Sequence, residues 1–115
     1  EADFRAKNIV SSGLHWTFSV KRRFAGPDLE VELSMPGKHN VLNALAAIAV
    51  ASEESIDDEQ ILSALKSFSG VGRRFQVSQG CVIAGKSVTL IDDYGHHPTE
   101  VMAVINTVRD VWPRI

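Results

Sequence analysis

The chain has 115 residues, 44% of them hydrophobic and 23% charged, a composition that supports a buried core in one domain or in pieces of two. A formal net charge of −2 gives no reason to expect nucleic acid or an acidic membrane as a partner. The single cysteine, Cys81, excludes an internal disulfide and suits a reducing, cytoplasmic setting, and no apolar run reaches the length of a membrane span. Both ends, at Glu1 and just after Trp112-Pro113, read as cut, so a fragment of a longer protein is expected.

The first third reads as β structure, over residues 6–10, 14–24 and 29–35. Turn formers separate the three runs: Ser11-Ser12-Gly13, then Ala25-Gly26-Pro27-Asp28. Trp16, Phe18 and Val20 alternate with His15, Thr17 and Ser19, and Leu29, Val31 and Leu33 alternate with Glu30 and Glu32. Period-two alternation predicts an antiparallel meander with one buried face. Lys21-Arg22-Arg23 reads as a solvated strand end.

Pro36-Gly37 ends the meander, and an alanine-rich helix is expected over 40–52, buried because small residues lie on most of its faces. Asn40 suits its N-cap. Asn43 lies one turn inside, where Asn has poor propensity and a buried amide needs partners. Its carboxamide carries the donor–acceptor pair that suits an adenine edge, and a helix N-terminus welcomes phosphate. The next helix starts at Asp57, with Gln60 completing a capping box, Ile56 and Ile61 forming a staple, and Ile61, Leu62, Leu65 and Phe68 as its buried stripe.

Val71-Gly72-Arg73-Arg74-Phe75 reads as a hinge at a domain boundary. Its arginines suit phosphate or carboxylate, or serve as surface ion-pair partners. The stretch from Gly80 to Ser87 satisfies the phosphate-loop pattern G-x-x-x-x-G-K-[ST]. That motif needs a flexible loop followed by a helix. Here Cys81, Val82 and Ile83 favour a strand, and so does Ser87-Val88-Thr89-Leu90-Ile91. A hairpin turning within 84–87 explains the same letters.

The richest chemistry lies in Asp92-Asp93-Tyr94-Gly95-His96-His97-Pro98-Thr99-Glu100, between an apolar run and a helical pattern over 98–111 whose core face is Val101, Val104, Ile105, Val108 and Trp112. Neighbouring strand residues face opposite ways, so Asp92 and Asp93 cannot share one cleft. Gly95 allows a backbone conformation closed to other residues. Pro98 fits the first helical position, and Glu100 complements the helix dipole. His96 and His97 are adjacent, which is no metal-ligand spacing, and no metal site is expected. The density of polar groups at a strand-to-helix turn nonetheless marks a site.

Three motifs now align: Pro36-Gly37-Lys38-His39-Asn40-Val41-Leu42-Asn43-Ala44, Gly70-Val71-Gly72-Arg73-Arg74-Phe75 and Asp92 to Glu100 as quoted above. In order and separation they resemble the Mur ligases, ATP-dependent amide ligases of peptidoglycan assembly. The resemblance covers nearly the whole chain and is weakest over the opening strands. It implies an α/β chain in which residues 1–72 end a central ATPase domain, with antiparallel strands and two helices. Residues 73–115 would open a Rossmann-like C-terminal domain with a hairpin and a strand–turn–helix.

The resemblance also implies ATP and Mg²⁺ as cofactors. Asn40, Asn43, Arg74, Asp93 and Tyr94 match family positions on the nucleotide side, Arg74 and Asp93 also being tied to domain closure. His96, with His97 beside it, matches the side that holds the incoming amino acid. Tyr94-Gly95 favours members that join L-alanine to UDP-N-acetylmuramate through an acyl phosphate. The family's recycling ligases, which attach a tripeptide to the same sugar nucleotide, are expected to carry Phe-Ala there. The family's phosphate loop and Mg²⁺-binding carboxylate lie upstream of the matching segment, so no catalytic residue is assigned within it. The segment alone is expected to be inactive. A non-catalytic binding module is the reading from another class.

Overall fold

Period-two alternation in β2 (His15–Arg22) builds the first layer of the computed structural model, which describes residues 2–112 and Arg114. Trp16, Phe18 and Val20 are buried, and their register neighbours on β3 (Leu29–Leu33) are Leu33, Val31 and Leu29. β1 (Phe4–Ser12) pairs with the other edge of β2, giving an antiparallel sheet of order β1-β2-β3. The expected meander is present. α1 (Lys38–Glu53) and α2 (Asp58–Ser67) cover its apolar face, adding Val41, Ala44, Ile48 and Ile61 to one cluster. Phe18, Val31, Leu33 and Ile48 are almost fully buried, each contributing about 1.5–3 kcal/mol relative to exposure.

Strand alternation corrects one reading. Arg22 falls on the same face as Trp16, Phe18 and Val20 and is buried rather than solvated. Both its terminal nitrogens donate to the Asp58 carboxylate at 2.7 Å, and Nε donates to the Pro27 carbonyl at 2.7 Å.

The start of α1 also differs. The helix begins at Lys38, with Gly37 as N-cap, and Asn40 is not the cap. Gly37 has φ +106, and a Cβ there would meet the His39 ring at 2.6 Å and Thr107 Oγ1 at 2.8 Å. Only glycine fits that entry, so the helix starts two residues before the side chain that looked like its cap. Nor is α1 buried all round. Asn40, Val41, Ala44 and Ile48 face the core, whereas Leu42 and Val50 remain 65% and 64% exposed.

In α2 Asp57 occupies the N-cap position, but its side chain makes no capping hydrogen bond, so the expected capping box does not form. The carboxylate engaged in that turn is the next one, Asp58, drawn to Arg22. Ile56 and Phe68 stay largely exposed, leaving Ile61, Leu62 and Leu65 as the packed stripe.

β4 (Gln76–Ile83) and β5 (Lys86–Asp92) form an antiparallel hairpin closed by Ala84 and Gly85, both with positive φ, as a two-residue turn between right-twisted strands requires. The phosphate-loop letters therefore lie on two strands and their turn. α3 (Pro98–Val111) follows. Its expected core face is half-buried at Val104, Ile105, Val108 and Trp112, whereas Val101 is exposed and Thr107 is the buried residue. The mixed α/β architecture matches the expectation. Its radius of gyration of 15.8 Å exceeds the roughly 13 Å of a compact domain of similar length, and the long axis is 54 Å. Among the described residues no helix is long and apolar enough to cross a membrane.

Candidate functional site

The linker between α2 and β4 and the turn between β5 and α3 meet at the base of the hairpin. Gln76 pairs with Asp92, so the residues just before and just after these two are neighbours. Tyr94 N–H donates to the Arg73 carbonyl at 2.7 Å. Asp93 Oδ2 accepts from Phe75 N–H at 2.8 Å, and Oδ1 accepts from Gly95 N–H at 2.7 Å. Asp92 points away and is exposed, so the two carboxylates separate as the strand pleat requires. Gly95 has an ordinary φ, contrary to the reading of its sequence position. A side chain there is crowded, because its Cβ would stand 2.9 Å from Asp93 Oδ1 and the carboxylate would have to shift.

Above this base sits an exposed group of rings and charges. The Arg73 guanidinium lies over the Tyr94 ring at 5.2 Å, within the range of a cation–π contact. The Tyr94 and His96 rings are 5.5 Å apart, and Tyr94 is 62% exposed. His96 Nδ1 stands 3.6 Å from Glu100 Oε2. That same oxygen accepts from the backbone N–H groups of His97 and His96, at 3.2 Å each, and these bonds hold the Glu100 carboxyl below its ordinary range.

His97 is the N-cap of α3. Its Nδ1 accepts from Thr99 N–H at 3.3 Å while Glu100 reaches back to its own N–H, forming a capping box. The tautomer that accepts at Nδ1 carries its proton on Nε2. His97 thus caps α3, whereas His96 stays exposed beside Tyr94 and Glu100.

Arg74 is exposed and has no ion-pair partner among the described residues. It lines a cleft of about 360 Å³ with Met35, Pro36, Gly70 and Phe75. Neither Asp93 nor Tyr94 lines that cleft.

The start of α1 approaches from the other side. His39 is half-buried against Gly37 and Thr107. Burial lowers its pKa, opposed by the Asp93 carboxylate, which places the two groups within electrostatic reach. Asn40 is buried, and its Nδ2 donates to the Pro36 carbonyl at 2.8 Å, closing the entry to the helix. Asn43 is exposed, not buried as its helical position suggested. Its one side-chain contact is a long one, 3.5 Å to Asn40 Oδ1, so its carboxamide is open to a ligand.

The structure therefore gathers Asp93, Tyr94, His96 and His97 in one turn, while the Arg74 side chain lines a cleft that Asp93 and Tyr94 do not. Asn40 and Asn43 stay on α1, and among the described residues neither makes a hydrogen bond to that turn. Two participants were not singled out as site residues. Arg73, adjacent to Arg74, stacks on Tyr94, and the half-buried His39 lies within electrostatic reach of Asp93. The Arg-Arg pair did not reveal which guanidinium faces the ring, because linker backbone geometry decides it.

No model of a protein family matches the chain. Solved structures do. The UDP-N-acetylmuramate–alanine ligase MurC from Thermotoga maritima aligns with 99% of this chain at 33% identity and a TM-score of 0.78. MurF from Acinetobacter baumannii aligns with 92% at 29% identity and a TM-score of 0.77. A murein peptide ligase from Psychrobacter arcticus aligns with 95% at 29% identity and a TM-score of 0.61. These neighbours are Mur ligases, and this chain is similar in sequence and fold to one segment of them. It spans about a quarter of their length: 26%, 22% and 22% respectively.

Proposed function

We propose that this chain is the hinge-side part of an ATP-dependent Mur ligase that joins L-alanine to UDP-N-acetylmuramate in peptidoglycan precursor synthesis. The observation that carries the reading is end-to-end similarity to the alanine ligase, 33% identical over 99% of the chain. Residues 1–72 correspond to the end of the central ATPase domain, and 73–115 to the start of the C-terminal domain.

The side chains fit a nucleotide in part. Asn43 offers an open carboxamide to an adenine edge, Tyr94 an exposed ring for stacking, and Arg74 an unpaired guanidinium for phosphate. Asn40 and Asp93 support these groups from behind, since both already hold backbone partners. His96 is positioned for the carboxylate of an amino acid. When bound, ATP supplies the phosphoryl group that activates the muramate carboxylate as an acyl phosphate for attack by the amine. Among the described residues no three His, Cys, Asp or Glu converge on a metal position, and no step is assigned to the metal here.

The second reading, attachment of a preformed tripeptide, is less well supported. The murein peptide ligase neighbour is 29% identical over 95% of this chain, against 33% over 99% for the alanine ligase. Alanine at position 95, expected in that class, would press on Asp93 in this chain. A substrate panel on the complete ligase that carries this segment decides between them. Alanine preferred over tripeptide supports the proposal, and the reverse preference overturns it. The 115-residue chain alone should show no alanine-dependent ATP hydrolysis; turnover by it would refute the assignment of catalysis to parts outside it.

A further inference from the structure

Two residues in the linker hold backbone conformations that their side chains disfavour. Arg73 has φ +61 and Phe75 has φ +48. A bulky residue in the left-handed region persists only where surrounding contacts over-determine it. Here three of those contacts gather at the end of β5. Asp93 Oδ2 accepts from Phe75 N–H, Asp93 Oδ1 accepts from Gly95 N–H, and Tyr94 N–H donates to the Arg73 carbonyl. Arg73 N–H is taken by Gln76 Oε1 at 3.1 Å, and the Phe75 side chain is 8% exposed. Immediately upstream, residues 68–71 belong to no helix or strand, and Gly70 is at φ +93. A Cβ at Gly72 would meet nothing within 4 Å.

We propose that Asp93 is a positioning residue, clamping residues 73–75 to the end of β5 and so confining the pivot between the two parts of the chain to 68–72. The carboxylate is suited to this because its two oxygens serve two backbone donors on different segments. A neutral amide offers only one acceptor oxygen. Gly95 belongs to the same device, since any side chain there would displace the Asp93 oxygen that its own N–H requires. The clamp fixes where Arg73 and Tyr94 stand before any ligand arrives. It needs no nucleotide, and so it goes beyond the resemblance, which ties Asp93 to the nucleotide side and to domain closure without identifying the backbone amides it holds.

Amide hydrogen exchange on the full 115-residue chain tests this, with Asp93→Ala, Asp93→Asn and Gly95→Ala as variants. In the unaltered chain the Phe75 and Gly95 amides should be protected like the β4–β5 ladder, while those of 69–72 exchange fast. Asp93→Ala should accelerate exchange at Phe75 and Gly95 by about tenfold or more, leaving β2, β3 and α1 unchanged. Asp93→Asn should leave one of the two amides protected. Gly95→Ala should loosen both without removing a charge, which keeps the test open if Asp93→Ala fails to fold. Residual dipolar couplings supply a readout that a general loss of stability would not give. Those of 73–75 should fit the alignment of 76–111 and not that of 4–67, and in Asp93→Ala they should fit neither. Unchanged protection in both Asp93→Ala and Gly95→Ala, or couplings of 73–75 that fit 4–67 equally well, would overturn the proposal.

Discussion

Arg22 at the end of β2 grips Asp58 at the start of α2 through two hydrogen bonds of 2.7 Å. The Arg22 side chain is 1% exposed and that of Asp58 is 41% exposed. Removing Asp58 would therefore strand a buried guanidinium, whereas the carboxylate itself is partly screened by water. Asp58→Ala should destabilise the fold by about 2–3 kcal/mol, below the range for a fully buried pair. Urea denaturation of the variant measures this, and a change under about 0.5 kcal/mol would show that the pair is energetically idle.

Acid should weaken the fold in two stages. His39 is buried towards its neutral form, so its folded pKa lies below its ordinary 6.5. Between those two values the unfolded chain binds more protons, and stability falls as pH drops below 6.5. Asp58 is lowered by its hydrogen bond from Arg22, and Glu100 by backbone N–H groups of His97 and His96. The stability those carboxylates contribute is present above their ordinary values of 3.8 and 4.5 and is lost as pH falls through the folded ones. Urea midpoints from pH 8 to pH 3 should show both stages, and His39→Gln should abolish the first.

His97 acts as a helix cap, which separates it from His96. His97→Ala should cost about 1 kcal/mol, while His97→Asn, which also caps, should cost much less. His96→Ala should leave stability nearly unchanged. Thermal denaturation of the three variants checks this order.

Gly37 admits α1 against α3 by having no side chain. Gly37→Ala combines a disfavoured φ of +106 with a Cβ 2.6 Å from the His39 ring. A loss of more than about 1 kcal/mol is expected. His39→Ala in the same background should recover part of it, by opening the space the new methyl requires.

Much of this was legible in the sequence where a single period governs burial. The alternation in β2 and β3 gave the sheet and its buried face, and strand-forming residues on both sides of Ala84-Gly85 gave the hairpin despite its phosphate-loop letters. Arg22 was misread because its two basic neighbours suggested a solvated run, although its parity matched Val20. The start of α1 was misplaced because a capping side chain is visible in sequence and a φ of +106 at Gly37 is not. Asp92 and Asp93 were separable by strand parity, but which one faced inward depended on the Phe75 and Gly95 amides that only the folded chain assembles. Tertiary contacts separate Asn40, Asp93 and His97, which hold backbone partners, from Asn43, Arg74, Tyr94 and His96, which stay exposed.

In the proposed function Asn43, Arg74 and Tyr94 contribute to the nucleotide side of the ligase. An NMR titration of the chain with Mg·ATP, repeated with Asn43→Ala, tests it most directly. Shifts confined to the start of α1, Arg74 and 93–96, lost or strongly weakened in the variant, are expected. A well-folded chain whose amides do not move, or the same shifts in Asn43→Ala, would contradict it.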